Sequence, residues 1–249
     1  MSRPASPLTA TIAQATMELR LTARRGENIL VTVVLPVVVL LFFASVSVLR
    51  TGGGSPVDFL LPGSMALAVI ATSLVNLGIA TAYERQYGVL KRLGGSPMTR
   101  GGLIAAKMLA VMVVEIAQVV LLITIAAAVL GWRPGPGVSP LLVAAVLMLG
   151  TFTFAGLGLL LAGALRAEAT LALTNGLFIG FLLLGGIVLP ISHLPVALQG
   201  IAAMLPASAL ADAFRVALGQ GGDATSSVAV LLAWGAGSVL LAVRTFRWE

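Results

Sequence analysis

The segment from residue 28 to residue 49, NILVTVVLPVVVLLFFASVSVL, has no charged residue between Glu27 and Arg50. Its 22 residues suffice for an α-helix to cross a bilayer, which takes roughly 20 mostly apolar residues. The whole chain shares this character, because its 249 residues are 59% hydrophobic and only 10% charged, with a mean hydropathy of +1.07. Soluble domains carry about a quarter charged residues. The composition therefore excludes a soluble enzyme and predicts an integral membrane protein.

Long segments with few or no charges recur along the chain and predict an all-α protein with six transmembrane helices. A transmembrane β-barrel would alternate apolar and polar residues over ~10 positions, and runs such as 31–43 do not alternate. Only Glu115 places an acid inside a predicted span. The predicted spans are about 28–49, 59–82, 108–131, 140–165, 169–191 and 225–243.

The distribution of Lys and Arg predicts the orientation. Twelve of the fifteen basic residues lie at the termini or in the loops 83–107 and 166–168, which share one side of a six-span protein. Basic loops stay in the cytoplasm, so both termini are expected there. This asymmetry also accounts for the net charge of +6, so no nucleic-acid partner is expected.

Residues 7–25 predict an amphipathic helix that lies in the cytoplasmic interface, in contact with membrane lipid. Ser6 can cap this helix and Pro7 suits its first turn. Leu8 and Ile12 begin an apolar stripe, and the helix ends in basic residues just before the first span. The alternative is a frayed polar tail.

The loop 83–107 combines basic residues with an apolar edge. Leu90 and Leu93 would share one face of a helix of about two turns, and Ser96-Pro97 would start the next element. A short helix with an apolar edge is expected to occupy a groove on a partner. A solvated basic loop is the alternative, and it explains the charges but not the leucines.

The segment 191–222, before the last predicted span, is interrupted by Pro195 and Pro206. It predicts two short helices that form an extracytoplasmic re-entrant hairpin, because neither is long enough to cross ~30 Å of hydrocarbon. Asp212 and Arg215 are three residues apart, so they can pair on one helix face. His193 is expected at the surface or at a helix cap rather than as a ligand.

Glu115 and Gln118 place polar groups within the third predicted span. An unpartnered carboxylate there would be costly, and the expected hydrogen-bond partners are Asn76, Thr72 or Asn175. These residues are either part of a substrate or proton pathway or a polar tie between helices. Lys107 is ~12 Å away along the same helix, too far to pair with Glu115.

The sequence lacks the residues that metal binding, acid–base catalysis and nucleotide binding require. The chain has no cysteine and one histidine, so neither a metal site nor a catalytic acid–base group is expected. It also has no G-x-x-x-x-G-K-[ST] phosphate loop. The protein is therefore expected to be non-catalytic, with no cofactor on this chain.

Three motifs in order resemble the permease subunit of ABC-2 type transporters, a group that includes bacterial drug-resistance permeases. The first is Leu61-Pro62-Gly63, at the start of the second span. The second is Glu84-Arg85-x-x-Gly88-x-Leu90-x-x-Leu93-x-x-Ser96-Pro97, which closes on Lys107. The third runs from Leu194-Pro195 through Leu205-Pro206 to Asp212-x-x-Arg215, where many family members have Glu in place of Asp212.

The resemblance covers residues 1–249 as one transmembrane domain and implies an exporter in the bacterial cytoplasmic membrane. It implies two ATPase subunits, which bind ATP and Mg²⁺, and two permeases, with the substrate route between them. The cargo would be an apolar or amphipathic drug, lipid or lipid-linked molecule. A proton-coupled secondary transporter that uses Glu115 is the alternative. The residues implied in ATPase coupling are Glu84, Arg85, Gly88, Leu90, Leu93, Ser96 and Pro97.

Overall fold

The computed structural model describes residues 6–24, 30–46, 55–94 and 99–245, and all regular structure within them is helical. This confirms the predicted fold class. The 3₁₀ turn Ile191–His193 precedes the eighth helix. The helices are α1 (Pro7–Arg24), α2 (Leu35–Ser45), α3 (Pro56–Gln86), α4 (Val89–Gly94), α5 (Arg100–Val129), α6 (Pro140–Ala164), α7 (Ala167–Leu184), α8 (Val196–Met204), α9 (Pro206–Ala217) and α10 (Thr225–Thr245).

Five helices of the described residues are long and apolar enough to cross a membrane: α3, α5, α6, α7 and α10. Helices α8 and α9 are long and apolar enough to cross a membrane only when they are taken together, and the pair is bent by 76° at Leu205. Counting this pair as one span gives six. The first predicted span, 28–49, lies partly outside the described residues, and its apolar helix Thr32–Ser45 is shorter than the other five.

Helix α3 forms the centre of the bundle. In its most apolar 18-residue window 78% of the residues are buried, against 22% in α10 and 28% in α7. It packs against α2, α5, α6, α7 and α9. Gly63 allows a further contact, because a Cβ at this position would lie 2.2 Å from the carbonyl oxygen of Ile187. The small residue after Pro62 therefore permits a close approach between α3 and the chain that follows α7.

Two helical segments have π-helical hydrogen bonding. One is Leu30–Val34, directly before α2, and the other is Ile70–Asn76, in the middle of α3. The two segments contact each other. A π turn is wider than an α turn and often occurs at functional sites. The two segments therefore bring two wide turns of neighbouring helices into contact.

Side-chain caps define the starts of α5 and α6. The Thr99 hydroxyl accepts a hydrogen bond from the Gly102 N–H at 3.1 Å, and the Ser139 hydroxyl accepts one from the Leu142 N–H at 3.3 Å. Ser96-Pro97, which we expected to start the helix after α4, lies outside the described residues. We call the end of the bundle that carries α4 the α4 end.

Candidate functional site

A cavity of about 500 Å³ lies between the two π-helical segments and α7. It extends along α3 from Ala71 to Tyr83 and reaches Tyr87, which is 70% exposed at the α4 end. Asn175 and Phe178 of α7 form the opposite wall. The residues that line the cavity are Thr32, Ala71, Val75, Asn76, Ile79, Ala80, Tyr83, Tyr87, Asn175 and Phe178.

The lining of this cavity is mostly carbon, with two amides and no charged side chain among the described residues that form it. The rings of Tyr83 and Tyr87 are stacked at the α4 end, with 6.0 Å between their centroids. Asn175 donates from Nδ2 to the carbonyl of Leu171 at 2.9 Å, which leaves its Oδ1 as an acceptor. Pockets of this kind bind a largely apolar molecule and orient it through a few polar contacts.

Glu115 lies outside that lining, fully buried between three helices. The Ser73 hydroxyl of α3 donates to Glu115 Oε1 at 2.5 Å, and the Thr151 hydroxyl of α6 donates to Oε2. The partners expected from the sequence, Asn76, Thr72 or Asn175, are therefore wrong. Both carboxyl oxygens are occupied by hydroxyls from neighbouring helices, which is the geometry of a polar tie.

Gln118 makes a second polar contact one turn further along α5. It is 3% exposed, and its Oε1 accepts from the Thr72 hydroxyl at 3.1 Å. Its Nε2 donates to the backbone carbonyl of Thr32 at 3.0 Å. Gln118 thus connects α5 to both π-helical segments.

An ion cluster at the α4 end joins α1, α3 and α5. Lys107 of α5 is only 2% exposed, and its Nζ lies 2.9 Å from Glu18 Oε1 of α1 and 2.7 Å from Glu84 Oε2 of α3. Gln14 donates to the same Glu18 oxygen at 2.9 Å. A buried lysine needs such partners, because an unpaired charge away from water is strongly unfavourable. Glu84, predicted to act in ATPase coupling, is thus also part of the structural framework.

The next two residues of α3 bind the end of α6 and the start of α7. Arg85 donates from Nη1 to the carbonyl of Gly163 at 2.5 Å and from Nη2 to the carbonyl of Leu165. These are among the carbonyls that a helix C-terminus leaves without intrahelical partners. Gln86 donates to Glu168 Oε1 at 3.0 Å. The Arg85 side chain therefore acts within this chain as a helix cap.

The short helix α4 follows a turn at Gly88, whose φ of +71° favours glycine. Leu90 is fully buried and packs with Leu103 of α5, and Leu93 packs against this pair. Our expectation that these leucines occupy a partner's groove is thus wrong for Leu90, because α5 of the same chain covers it. The exposed residues here are Tyr87, Val89, Lys91 and Arg92.

At the opposite end of the bundle, Arg215 of α9 connects three parts of the chain. Its Nη1 donates to Asp212 Oδ1 at 2.5 Å, the pairing that their spacing predicts. Its Nη2 donates to the carbonyl of Gly186 at 2.5 Å, and its guanidinium lies 4.2 Å from the ring centroid of Phe59 on α3. Arg215 is therefore a packing and hydrogen-bonding centre for this end.

Pro195 and Pro206 stand directly before and at the start of the two helices of the bent pair, α8 and α9. The Trp234 indole of α10 donates to the carbonyl of Met204, the last residue of α8, at 3.0 Å. Helix α9 is the more buried of the two. His193 is exposed in the 3₁₀ turn before α8. Among the described residues, no group of three or more His, Cys, Asp or Glu side chains could hold a metal ion.

Comparison with known families agrees with the geometry. A family model described as ABC-2 type transporter matches residues 9–218, most of the chain. The chain belongs to this family. The resemblance inferred from the three motifs is thus confirmed, and the protein is a multi-pass ABC-2 permease, a membrane transport domain of a family that works with an ABC ATPase. No curated protein is found to match the permease.

Several contacts of this ABC-2 permease were not anticipated from the sequence. Ser73 and Thr151 were missed as partners of Glu115, and Glu18 was missed as a partner of Lys107. Glu18 carried a usable signal, because an acid on a predicted amphipathic helix and a lysine at the start of a span lie at the same membrane depth. No comparable signal marks Ser73 or Thr151, because hydroxyl residues occur in several of the spans.

Proposed function

We propose that this permease is a subunit of an ATP-driven exporter that moves an apolar or amphipathic compound outward across the bacterial cytoplasmic membrane. The 500 Å³ cavity between the π-helical segments and α7 carries the proposal. Its carbon-rich wall suits a hydrophobic body, and Asn76 and Asn175 suit one or two polar groups on the cargo. Among the described residues no charged side chain lines the cavity, which argues against phosphorylated or strongly anionic metabolites.

The energy comes from ATP and Mg²⁺ on a separate ATPase subunit, with α4 as the element that contacts it. Since Leu90 faces α5, the contact surface on this chain is the outer face formed by Tyr87, Val89, Lys91 and Arg92. Glu84 bonds to Lys107 of α5, and Arg85 bonds to the end of α6. These bonds hold the last turn of α3 rigidly next to α4. Movement of α4 would therefore reach the wall of the cavity through α3.

The proposed orientation places the α4 end and both termini in the cytoplasm. Helix α1 would then lie in the inner interface, where its exposed Leu8, Ile12 and Met17 contact lipid. The bent pair α8–α9 would form a re-entrant hairpin at the outer surface. A second permease, either a copy of this chain or a paralogue, would complete the substrate route.

Proton-coupled transport through Glu115 is the competing hypothesis. Glu115 lies outside the cavity lining, and both of its carboxyl oxygens are held by hydroxyls. A carboxyl group that exchanges protons with the cargo pathway would need access to that pathway, so this position favours the ATP-driven mechanism.

The test is transport in inside-out vesicles that contain the permease and its co-expressed ATPase. We expect accumulation of fluorescent uncharged or cationic amphiphiles to require ATP and to persist when a protonophore removes the proton gradient. Asn76→Leu should reduce accumulation, whereas Thr124→Val, an exposed change on α5 away from the cavity, should not. Uptake that needs the proton gradient and no ATPase would reject the proposal in favour of secondary transport.

A further inference from the structure

Pro36 removes one backbone N–H donor from the first apolar helix. In an α-helix the N–H of residue 36 would donate to the carbonyl of residue 32, but proline has no N–H. Pro36 is buried at the start of α2, immediately after the π-helical segment Leu30–Val34. The carbonyl of Thr32 therefore cannot accept a hydrogen bond from the backbone of residue 36.

Gln118 donates to the Thr32 carbonyl from a different helix. Its Nε2 donates to the Thr32 carbonyl at 3.0 Å. The oxygen of the same amide accepts from the Thr72 hydroxyl at 3.1 Å, within the second π-helical segment, Ile70–Asn76. A side-chain amide carries both a donor and an acceptor. One buried residue of α5 thus holds both π-helical segments at once.

Both held segments form the wall of the cavity described above. Thr32 belongs to the first segment, and Ala71, Val75 and Asn76 belong to the second. Gln118 itself does not line the cavity. The Gln118 amide therefore lies behind this part of the wall and bonds both segments to α5.

We propose that Gln118 is a positioning residue that keeps this cavity open by fixing both π-helical segments against α5. Without the Gln118 amide, the two π-helical segments move into the cavity and narrow it. The inference rests on the proposed function only in assigning the cavity to an exported cargo. Its geometric content can be tested without transport.

The absence of native cysteine allows a direct test of cavity access. Ile79→Cys places a thiol on the cavity wall, and Gly237→Cys places one in a separate groove between α6 and α10, where a Cβ meets no other atom within 4 Å. The rate of modification by N-ethylmaleimide is measured for each reporter in membranes. The two backgrounds are the native residue and Gln118→Met, which preserves length but removes the amide.

We expect Gln118→Met to slow modification of Ile79→Cys by about fivefold, the order of effect that loss of a hydrogen bond has on a local equilibrium. Modification of Gly237→Cys should stay unchanged. The matched control is Thr124→Val, because Thr124 is exposed on the same helix and bonds only its own Val120 carbonyl, at 2.7 Å. An unchanged or faster rate at Ile79→Cys, or an equal change at both reporters, overturns the proposal.

If Gln118→Met is not recovered as folded protein, Thr72→Val decides the question, since it keeps the side-chain shape and removes only the hydrogen bond to Oε1. A slower rate at Ile79→Cys supports the proposal, and an unchanged rate rejects it. If either variant loses ATP-driven export while the labelling rate at Ile79→Cys is unaltered, the proposed function stands and the role of Gln118 is refuted.

Discussion

Lys107 Nζ lies 2.7 Å from Glu84 Oε2, so the second turn of α5 is bonded to the last turn of α3, just before the turn that leads into α4. The same ammonium lies 2.9 Å from Glu18 of α1, and Lys107 is almost inaccessible to solvent. Three helices thus share one buried cation. The arrangement gives the α4 end a fixed geometry.

We predict that Lys107→Met lowers the free energy of unfolding by about 3 kcal/mol, because it leaves two carboxylates together without their cation. Thermal unfolding in detergent measures the effect. The control is the triple variant Lys107→Met, Glu18→Gln and Glu84→Gln, which removes all three charges and should regain most of the loss. Equal instability of the single and triple variants would contradict the ionic explanation.

Substitutions of Leu90 and Arg92 are expected to have different effects, the first on stability and the second on binding of the ATPase. Leu90→Ala should destabilise the protein by about 2 kcal/mol or more, because Leu90 is fully buried against Leu103. Arg92→Glu changes an exposed residue and should leave stability within about 0.5 kcal/mol. Co-purification with the ATPase should nevertheless decrease for Arg92→Glu. If Arg92→Glu, as a folded protein, retains the ATPase fully, the outer face of α4 is not the contact surface.

Glu115→Gln should preserve both the fold and ATP-driven export. Glutamine offers an oxygen and an amide group to the hydroxyls of Ser73 and Thr151, which can each donate or accept. Glu115→Leu should cost about 2 kcal/mol, because both buried hydroxyls lose a partner. Unfolding curves and vesicle transport are measured together. A Glu115→Gln protein that folds but does not transport would favour a proton-coupled role.

Gly63→Ala should be severely destabilising. The added Cβ would lie 2.2 Å from the Ile187 carbonyl oxygen, so backbone must move in the most buried of the five candidate membrane-spanning helices. We expect a loss of about 2 kcal/mol, in the range for overpacked interiors. Gly101→Ala, where a Cβ meets no atom within 4 Å, is the control and should be neutral. Similar unfolding temperatures for the two variants would show that α3 can shift away from Ile187.

The helices could be predicted because a bilayer selects long apolar segments, and charged residues bound most of them. Contacts such as Ser73–Glu115 could not, because they depend on the rotation of each helix about its axis. Hydropathy varies little around a largely buried apolar helix such as α3 and so does not report this rotation. The burial of Leu90 could not be predicted either, because it depends on the direction in which α4 leaves α3. The turn at Gly88, with its φ of +71°, directs α4 back onto α5 of the same chain.

The hydrogen bond from the Trp234 indole to the Met204 carbonyl links α10 to the bend between α8 and α9. Indole emission shifts with the polarity and hydrogen bonding of its surroundings. The chain has only three tryptophans, so replacing Trp132 and Trp248 by phenylalanine would leave Trp234 as the only tryptophan. The protein thus carries an intrinsic optical reporter at the bent pair, and separation of α8 from α10 during a transport cycle could be followed in real time without an attached dye.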